Sequence, residues 1–337
     1  MKQILITGGA GFIGSNAVNY FLNKYPNYTI INLDSMTYAA SPLNMLAFKD
    51  NPRHIFIKGD ITDKTLVEKI FVDYDINSVI HFAAESHVDN SITNPYAFIN
   101  TNIVGTFTLL EVAKKYWVGN KKDNRFHHIS TDEVYGSLGE NGYFTETTPF
   151  APNSPYSASK ASSDHLVRSF FKTYGLNTLI TNCSNNYGPH QHDEKLIPTI
   201  IRKALSRQPI PIYGNGQNVR DWLYVGDHCH AIDNVFHGAV AGEHYNIGGD
   251  NELSNIALAT LICQQLNQQV NNAFDFTSLI SFVTDRPGHD FRYAVSIEKI
   301  KADLKWQPKT LFTDGLSETI NFYTQKYHQI QIAQTEV

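Results

Sequence analysis

The stretch KQILIT (residues 2–7) followed by GGAGFIG (residues 8–14) decides the fold. The first six residues predict a buried β-strand, and residues 11–25 predict a helix that Pro26 ends. Glycines between a strand and a helix allow a tight turn and a close approach of the backbone to a pyrophosphate, which the N–H groups at the start of the helix then bind. We therefore predict a dinucleotide site at this turn.

An acidic residue supports this prediction. Asp34 follows Gly14 by 20 residues and ends the next predicted strand, residues 28–33, where a carboxylate can accept hydrogen bonds from ribose hydroxyls. Because a carboxylate repels a 2′-phosphate, NAD is favoured over NADP. Glycines alone would also suit tight helix-on-strand packing, and Asp60 is placed either to contact the adenine or to cap a helix.

Strand and helix patterns alternate through the first half of the chain. Further strands are predicted at residues 54–58, 78–83, 126–130 and 177–182, and long helices at 99–117 and 157–174. The predicted class is α/β, with a Rossmann-type doubly wound parallel sheet and a smaller C-terminal substrate-binding lobe. We place the Rossmann domain at residues 1–188 and expect the chain to return to this domain near residues 227–260 and 311–330. The smaller lobe is placed mainly at residues 189–337, where proline and glycine interrupt the alternation of strands and helices.

Composition narrows the class of protein. The chain has 337 residues, of which 42% are hydrophobic and 18% charged, as in folded globular proteins. The net charge of -5 gives no general attraction to nucleic acid or to an anionic membrane, and no apolar run approaches the ~20 residues of a membrane span. Neither a signal peptide nor a metal site is expected, because the 3 cysteines and 14 histidines show no ligand spacing. We expect a cytoplasmic protein.

Two groups of residues point to catalysis. Tyr156 and Lys160 lie one helical turn apart, and an ammonium beside a phenol favours the phenolate, which can act as a base. Thr131, Asp132 and Glu133 follow the strand predicted at 126–130, where the hydroxyl can bind a reacting alcohol and the carboxylates can divide acid and base roles. Alternatively, Tyr156 and Lys160 share a solvated helix face, Asp132 caps a turn, and Glu133 is solvated.

Motifs along nearly the whole chain carry a family resemblance. They are GGAGFIGS from Gly8, FAAESHVDNSI from Phe82, STDEVYG from Ser130, YSASK from Tyr156, NCSNNYGPHQ from Asn182, EKLIP from Glu194, RDWLYV from Arg220, YNIGG from Tyr245 and DRPGHD from Asp285. With these motifs the sequence resembles the extended short-chain dehydrogenases/reductases, and within them the nucleotide-sugar 4,6-dehydratases. The consecutive Thr-Asp-Glu is the most specific of them, since related epimerases do not usually carry both carboxylates.

The resemblance implies a reaction. NAD-dependent oxidation of dTDP-glucose at C4, loss of water across C5 and C6, and return of hydride to C6 would give a 4-keto-6-deoxy sugar, a precursor of rhamnose or a related sugar. Tyr156, with Lys160 and Thr131, would deprotonate the C4 hydroxyl, Glu133 would remove the C5 proton, and Asp132 would protonate the leaving C6 hydroxyl. The alternatives are a UDP-hexose 4-epimerase, a dehydratase for another nucleotide, or a silent NAD-binding regulator.

The resemblance also implies binding residues. The NAD set is Gly8, Gly11, Phe12, Ile13, Gly14, Asp34, Ser35, Thr37, Asp60, Ile61, Ala83, Ala84, Ser86, Thr101, Tyr156, Lys160 and Asn186. The nucleotide-sugar set is Ser86, Thr131, Asn185, Lys195, Leu196, Pro211, Tyr213, Arg220, Asn255, Asp285, Arg286 and His289. A homodimer through a four-helix bundle is expected, whereas nucleic-acid and membrane partners are not. Ala40 and the pair His192 and Asp193 depart from the family pattern near these loops.

Overall fold

Strands and helices alternate through the first half of the molecule. The computed structural model describes residues 2–119, 123–270, 274–285 and 287–335, with side chains as far as residue 328. The strands are β1 (Lys2–Thr7), β2 (Tyr28–Asp34), β3 (His54–Lys58), β4 (Ser78–His81), β5 (Arg125–Thr131), β6 (Thr178–Cys183), β7 (Asn185–Tyr187), β8 (Ile210–Tyr213), β9 (Val219–Tyr224), β10 (His244–Ile247), β11 (Glu252–Ser254) and β12 (Ile280–Val283). The helices are α1 (Phe12–Lys24), α2 (Lys64–Asp73), α3 (Val88–Thr93), α4 (Pro95–Phe98), α5 (Thr106–Trp117), α6 (Pro155–Tyr174), α7 (Leu196–Leu205), α8 (Val225–Gly238), α9 (Asn255–Val270), α10 (Glu298–Leu304) and α11 (Phe312–Thr335).

A seven-stranded sheet forms the centre of the molecule, in the order β10-β6-β5-β4-β1-β2-β3. Each neighbouring pair in it is parallel. The chain winds outward from β1 to β3 and then crosses back to β4, so a crevice opens where the carboxyl ends of β1 and β4 meet. The predicted Rossmann-type doubly wound sheet is confirmed.

Apolar residues bury both faces of this sheet. Leu5 packs on one side with residues of α2, α5 and α6, whereas Ile4 and Ile6 pack on the other with residues of α1 and α8. Strands that are buried on both faces read as continuous apolar runs, which explains the KQILIT pattern.

The helix that carries Tyr156 and Lys160 begins two residues before its predicted start. Ser154 caps α6 and forms a capping box with Ser157, and Pro155 occupies the first helical position. Gly175, with φ of 66°, ends the helix in the left-handed conformation. The helix predicted at residues 99–117 is divided into a π-helical segment, Ile99–Gly105, and α5.

A second core lies outside the large sheet. Helices α7, α9 and α11 pack there around Trp222, next to a three-stranded sheet of order β11-β9-β7. Leu316 and Ile320 of α11, which fall within the predicted return to the Rossmann domain at residues 311–330, are buried in this second core. β10, in contrast, lies in the large sheet. The domain boundary between residues 188 and 189 stays a prediction.

The described part of the chain shows neither a metal-ligand cluster nor a membrane-spanning helix. Within it, no group of three or more His, Cys, Asp and Glu side chains could hold a metal ion. No helix in the same part is long and apolar enough to cross a bilayer.

Candidate active site

A cavity of about 310 Å³ opens at the carboxyl ends of the central strands. All residues predicted to bind NAD line it: Gly8, Gly11, Phe12, Ile13, Gly14, Asp34, Ser35, Thr37, Asp60, Ile61, Ala83, Ala84, Ser86, Thr101, Tyr156, Lys160 and Asn186. The predicted catalytic residues Thr131, Asp132 and Glu133 line the same cavity. Residues at the carboxyl ends of six strands of the large sheet, β1 to β6, and at the start of α1 therefore line one cavity.

The glycine turn forms one end of the cavity. Gly8 has φ of 76°, and a Cβ there would lie 2.7 Å from the backbone nitrogen of Ala83. A Cβ on Gly14 would lie 2.1 Å from the carbonyl oxygen of Gly8. Gly11 caps α1 without a side-chain hydrogen bond in the described structure, so the first turn of the helix presents its N–H groups to the cavity. This end is suited to a pyrophosphate.

Asp34 ends β2 beside the turn. Its Oδ2 accepts a hydrogen bond from the Ala10 backbone at 2.9 Å, and its Oδ1 accepts one from the Met36 backbone at 2.8 Å. The carboxylate thus holds the turn in place as well as lining the cavity. Asp60 accepts bonds from the Thr62 backbone and hydroxyl at 2.8 and 2.9 Å, while Asp63 is the residue that caps α2.

Tyr156 and Lys160 project from α6 toward the ends of β5 and β6. The Lys160 Nζ is buried and donates to the carbonyl oxygen of Ile129 at 2.8 Å. Burial lowers the pKa of this ammonium to about 8, while Asp164 acts in the opposite direction. Burial and the Glu133 carboxylate raise the pKa of the Tyr156 phenol well above its usual range, and a hydrogen bond with Thr131 opposes them. Burial and Glu133 therefore outweigh the lowering that the sequence predicted.

Asp132 and Glu133 occupy different environments although they are adjacent. They begin the 3-10 turn Asp132–Tyr135 after β5, and Thr131 caps that turn by accepting from the Glu133 N–H at 3.3 Å. Asp132 is buried, and burial, followed by the charge of Glu133, raises its pKa well above the usual range. Glu133 is half-buried. A buried protonated carboxyl is suited to donate a proton, and a more exposed carboxylate to accept one.

The predicted nucleotide-sugar residues divide into two groups. Ser86, Thr131, Asn185 and Lys195 line the cavity, and the Lys195 Nζ donates to the carbonyl oxygen of Ser86 at 3.1 Å. The structure does not bring the following residues to its lining: Leu196, Pro211, Tyr213, Arg220, Asn255, Asp285 and His289. Arg286 lies outside the described residues.

Some of the residues outside the cavity contact each other. His289 Nδ1 lies 2.6 Å from Asp285 Oδ1, and its ring is 6.2 Å from that of Tyr213. The Tyr213 hydroxyl donates in turn to Asp89 at 3.4 Å. Leu196 and Asn255 begin α7 and α9, and Pro211 lies in β8. Their roles toward a substrate stay predictions.

Arg220 is buried instead of facing open space. Its guanidinium donates to the carbonyl oxygens of Val219 at 2.7 Å and Asp290 at 3.0 Å, and it lies 4.5 Å from the ring centre of Tyr293. It also acts to lower the pKa of Asp132. The structure thus shows Arg220 anchoring a loop near the cavity, and its pairing with a diphosphate stays a prediction.

The cavity includes residues that sequence reasoning did not assign to a binding set: Leu33, Ala39, Ala40, Gly59, Phe82, Ile129, Ser130, Cys183, Ser184, Gln191, His192 and Glu194. Cys183 ends β6, and that position at a strand end was the available signal. Glu85 and Glu194 interact through space: burial, and then the charge of Glu194, raise the pKa of Glu85. No short sequence motif predicts that Glu85 and Glu194 interact, because they lie on loops from distant parts of the chain.

The fold and the cavity define the class, a dinucleotide-binding enzyme of the extended short-chain dehydrogenase/reductase type. A family model described as GDP-mannose 4,6 dehydratase matches residues 5–319. The dTDP-glucose 4,6-dehydratase of Xanthomonas campestris pv. campestris (strain B100) is 51% identical over 329 residues, covering 96% of this chain and 93% of its own. The chain belongs to the dTDP-glucose 4,6-dehydratase family.

Other relatives and solved structures agree with this membership. The dTDP-glucose 4,6-dehydratase of Salmonella typhimurium is 52% identical over 334 residues, 95% of this chain and 92% of its own. The enzyme of the same name from Bacillus anthracis, solved in complex with NAD, has a TM-score of 0.87 at 46% identity and covers 97% of this chain and 98% of its own. A UDP-glucose 4-epimerase from Thermotoga maritima has a TM-score of 0.85 at 28% identity, with 96% and 99% covered. The same fold therefore serves more than one reaction.

Proposed function

We propose that this chain is an NAD-dependent hydro-lyase that converts dTDP-glucose into dTDP-4-keto-6-deoxyglucose. The observation that carries the proposal is that Thr131, Asp132, Glu133, Tyr156 and Lys160 line the same cavity as the glycine turn. Relatives named dTDP-glucose 4,6-dehydratase, at about half sequence identity over nearly the whole chain, support the choice of substrate.

The glycine end of the cavity fits NAD. Gly8 and Gly14 leave space that a Cβ would fill, the start of α1 can bind the pyrophosphate, and Asp34 stands where a ribose would lie. When bound, NAD supplies the acceptor and later the donor of a hydride. Thr101 and Asn186, which line the same cavity, are proposed to complete this site.

Three residues are proposed to handle the proton of the C4 hydroxyl. Tyr156 removes it as general base, and Thr131, already hydrogen-bonded to Tyr156, accepts or donates a bond to the reacting oxygen. Burial and Glu133 raise the pKa of Tyr156, so the phenolate is proposed to depend on two cations, the Lys160 ammonium, whose pKa is about 8, and the nicotinamide when NAD is bound. The proton passes to the phenolate as the hydroxyl becomes a carbonyl.

The two carboxylates are proposed to divide the elimination of water. A carbonyl at C4 makes the C5 proton acidic, and Glu133, the more exposed group, removes it. Asp132 is held protonated by burial and gives its proton to the C6 hydroxyl, which leaves as water. The difference between the environments of these adjacent side chains supports their different roles.

A turnover experiment tests this proposal. Purified protein is incubated with NAD and dTDP-glucose, and the product is analysed for a 4-keto group and for loss of one water by mass. UDP-glucose, UDP-galactose and GDP-mannose are run in parallel, because an epimerase shares this fold. Turnover of a UDP-hexose without turnover of dTDP-glucose would overturn the substrate, and epimerisation without loss of water would overturn the reaction.

We also propose that the protein is a homodimer through a four-helix bundle formed by α5 and α6 of each copy. An apolar stripe on the exposed side of this region supports it. Tyr96 is 73% exposed, and Ile99 and Phe107 are 48% and 44% exposed. Exposed apolar groups that cluster on a surface are typical of protein–protein contacts, and we propose that these three side chains lie in such a contact.

The proposed substrate also bears on location and pathway. NAD and nucleotide sugars are metabolites of the cytoplasm, which supports the proposal that the protein acts there. The proposed product is a 6-deoxy sugar nucleotide, which fits the synthesis of rhamnose or a related sugar.

A further inference from the structure

A buried carboxylate lies one helical turn beyond Lys160. Tyr156, Lys160 and Asp164 follow each other at intervals of four residues in α6, so they share the side of the helix that faces the sheet. Asp164 is 2% exposed and does not line the cavity. The reaction proposed above assigns it no role, although a buried charged group is costly unless it is paired.

Strands β5 and β6 hold this carboxylate in place. Its Oδ2 accepts hydrogen bonds from the Ser130 hydroxyl at 2.9 Å and from the Asn182 amide at 3.0 Å. Ser130 and Asn182 are paired across the two strands, so both side chains face α6. The other oxygen, Oδ1, lies 3.3 Å from Nε2 of His128. Side chains of β5 and β6 therefore hold the Asp164 carboxylate in one position.

Lys160 needs a counter-charge because its ammonium is removed from water and donates to a neutral carbonyl oxygen. Titratable groups around it are His81 of β4, His128 of β5 and Cys183 of β6, and Asp164 also interacts with His244 of β10. Burial lowers the pKa of each of these histidines and raises the pKa of Cys183 to about 12, so these groups are neutral at pH 7. Burial also raises the pKa of Asp164, whereas the charge of Lys160 and the hydrogen bonds from Asn182 and Ser130 act to lower it and so favour its carboxylate form. Among the interactions that act to keep Lys160 protonated, the charge of Asp164 is the largest.

We propose that Asp164 is a positioning residue of this active site, which supplies from its frame of Ser130 and Asn182 the counter-charge that keeps Lys160 an ammonium beside Tyr156. This inference rests on the proposed function, because that function gives Lys160 its task. Removal of the charge lowers the pKa of Lys160, so the ammonium is lost at a lower pH and Tyr156 loses the cation that favours its phenolate.

The direct test follows the titration of Lys160 itself. Protein labelled with ¹³C at the lysine Cε is titrated without substrate, and the Lys160 signal is assigned by its absence from Lys160→Arg. We expect a midpoint near 8 in the wild type and a midpoint lower by about one unit or more in Asp164→Asn, because a nearby opposite charge typically shifts a pKa by this much. Asp164→Asn keeps the side-chain shape, and circular dichroism checks that it folds.

A charge-relocation variant separates electrostatics from packing. Asp164→Asn combined with Asn182→Asp restores one carboxylate to the same hydrogen-bonded pair, and we expect the Lys160 midpoint to recover toward the wild type. Asp233→Asn is the matched control, since it removes a buried aspartate of α8 that pairs with Lys24 on the far side of the sheet. It should leave the Lys160 midpoint unchanged.

The pH profile of kcat/KM gives a second readout. The alkaline limb, where Lys160 loses its proton, should move to lower pH in Asp164→Asn and move back in the double variant. An unchanged Lys160 midpoint in folded Asp164→Asn overturns the inference, and so does failure of the double variant to recover. The NMR titration needs no substrate, so a failure of the proposed function would leave this test intact and the two failures can be told apart.

Discussion

At the residue scale, burial assigns different chemistry to neighbouring side chains. Asp132 and Glu133 are adjacent, yet only Asp132 is fully buried, and burial raises its pKa. A carboxyl group with a raised pKa keeps its proton to a higher pH than a free aspartic acid and loses it as the pH rises through the raised value. The activity that needs the Asp132 proton should therefore fall as the pH rises through this raised pKa.

Asp132→Asn tests this assignment. The amide cannot give up a proton to the C6 hydroxyl, so we expect kcat for loss of water to fall by about 10²–10⁴-fold while dTDP-glucose still binds. Rapid-quench mass spectrometry measures kcat for the loss of water, and calorimetry measures the binding of dTDP-glucose. Glu146→Gln is the matched control, because burial also raises the pKa of Glu146 outside the cavity. Wild-type kcat in Asp132→Asn would contradict the assignment.

Asp34 is predicted to select the cofactor. Asp34→Ser removes the charge that repels a 2′-phosphate, so we expect the ratio of NAD to NADP affinity to fall by at least about tenfold, or about 1.4 kcal/mol. Fluorescence titration with both cofactors measures the ratio. Because Asp34 also accepts bonds from the Ala10 and Met36 backbone, Asp34→Asn, which keeps the side-chain shape, shows how much of the change comes from the charge. An unchanged ratio in both variants would remove Asp34 from cofactor selection.

At the element scale, α6 connects local sequence signals to the chemistry. Its capping box, its proline at the first position and its glycine at the end are all local, and they fix where Tyr156 and Lys160 project. The π-helical segment before α5 has a comparable role. Asn102 within it accepts from the Glu85 N–H at 2.8 Å and donates to the Glu85 carbonyl at 3.0 Å, which ties down a loop that lines the cavity.

Ser154→Ala tests the contribution of the cap. It removes the acceptor for the Ser157 N–H at 3.0 Å, so we expect the free energy of unfolding to fall by about 1 kcal/mol. Urea unfolding measures the change. Ser162→Ala in the same helix, where the hydroxyl makes an exposed hydrogen bond back to the Ala158 carbonyl, should stay within about 0.5 kcal/mol of the wild type. Equal losses in both variants would argue against a capping effect.

At the scale of the whole molecule, the large sheet supplies the nucleotide end of the cavity, and a second core lies beside it. Lys195, at the start of α7 in the second core, reaches the Ser86 carbonyl in the loop after β4 at 3.1 Å. The two parts thus meet at the cavity. Tyr96, Ile99 and Phe107 are among the exposed large apolar side chains, and we propose that the dimer forms through them.

A substitution that introduces a charge into the proposed interface tests the predicted dimer. Phe107→Glu places a carboxylate in the proposed four-helix bundle, so sedimentation velocity should shift from the dimer to the single chain. Leu311→Glu is the matched control, because Leu311 is 68% exposed and immediately precedes α11, which packs in the second core. A wild-type protein that sediments as a single chain, or equal dissociation in both variants, would contradict the prediction.

The sequence by itself determined the features that arise from neighbouring residues. These features depend only on residues close together in the chain. They are the strand, glycine turn and helix at the start of the chain, the spacing of Tyr156 and Lys160, and the apolar pattern of the strands. Because parallel strands present their carboxyl ends at one edge, these local signals sufficed to predict a doubly wound sheet with the nucleotide and the catalytic residues together.

Only the tertiary structure decided what depends on distant contacts. The tertiary structure alone raises the pKa of Tyr156 and buries Arg220 against carbonyl oxygens. It also brings Glu85 near Glu194 and packs α11 in the second core. The physical reason is that burial and through-space charge sum over groups far apart in the chain. No spacing rule in the sequence reports that sum.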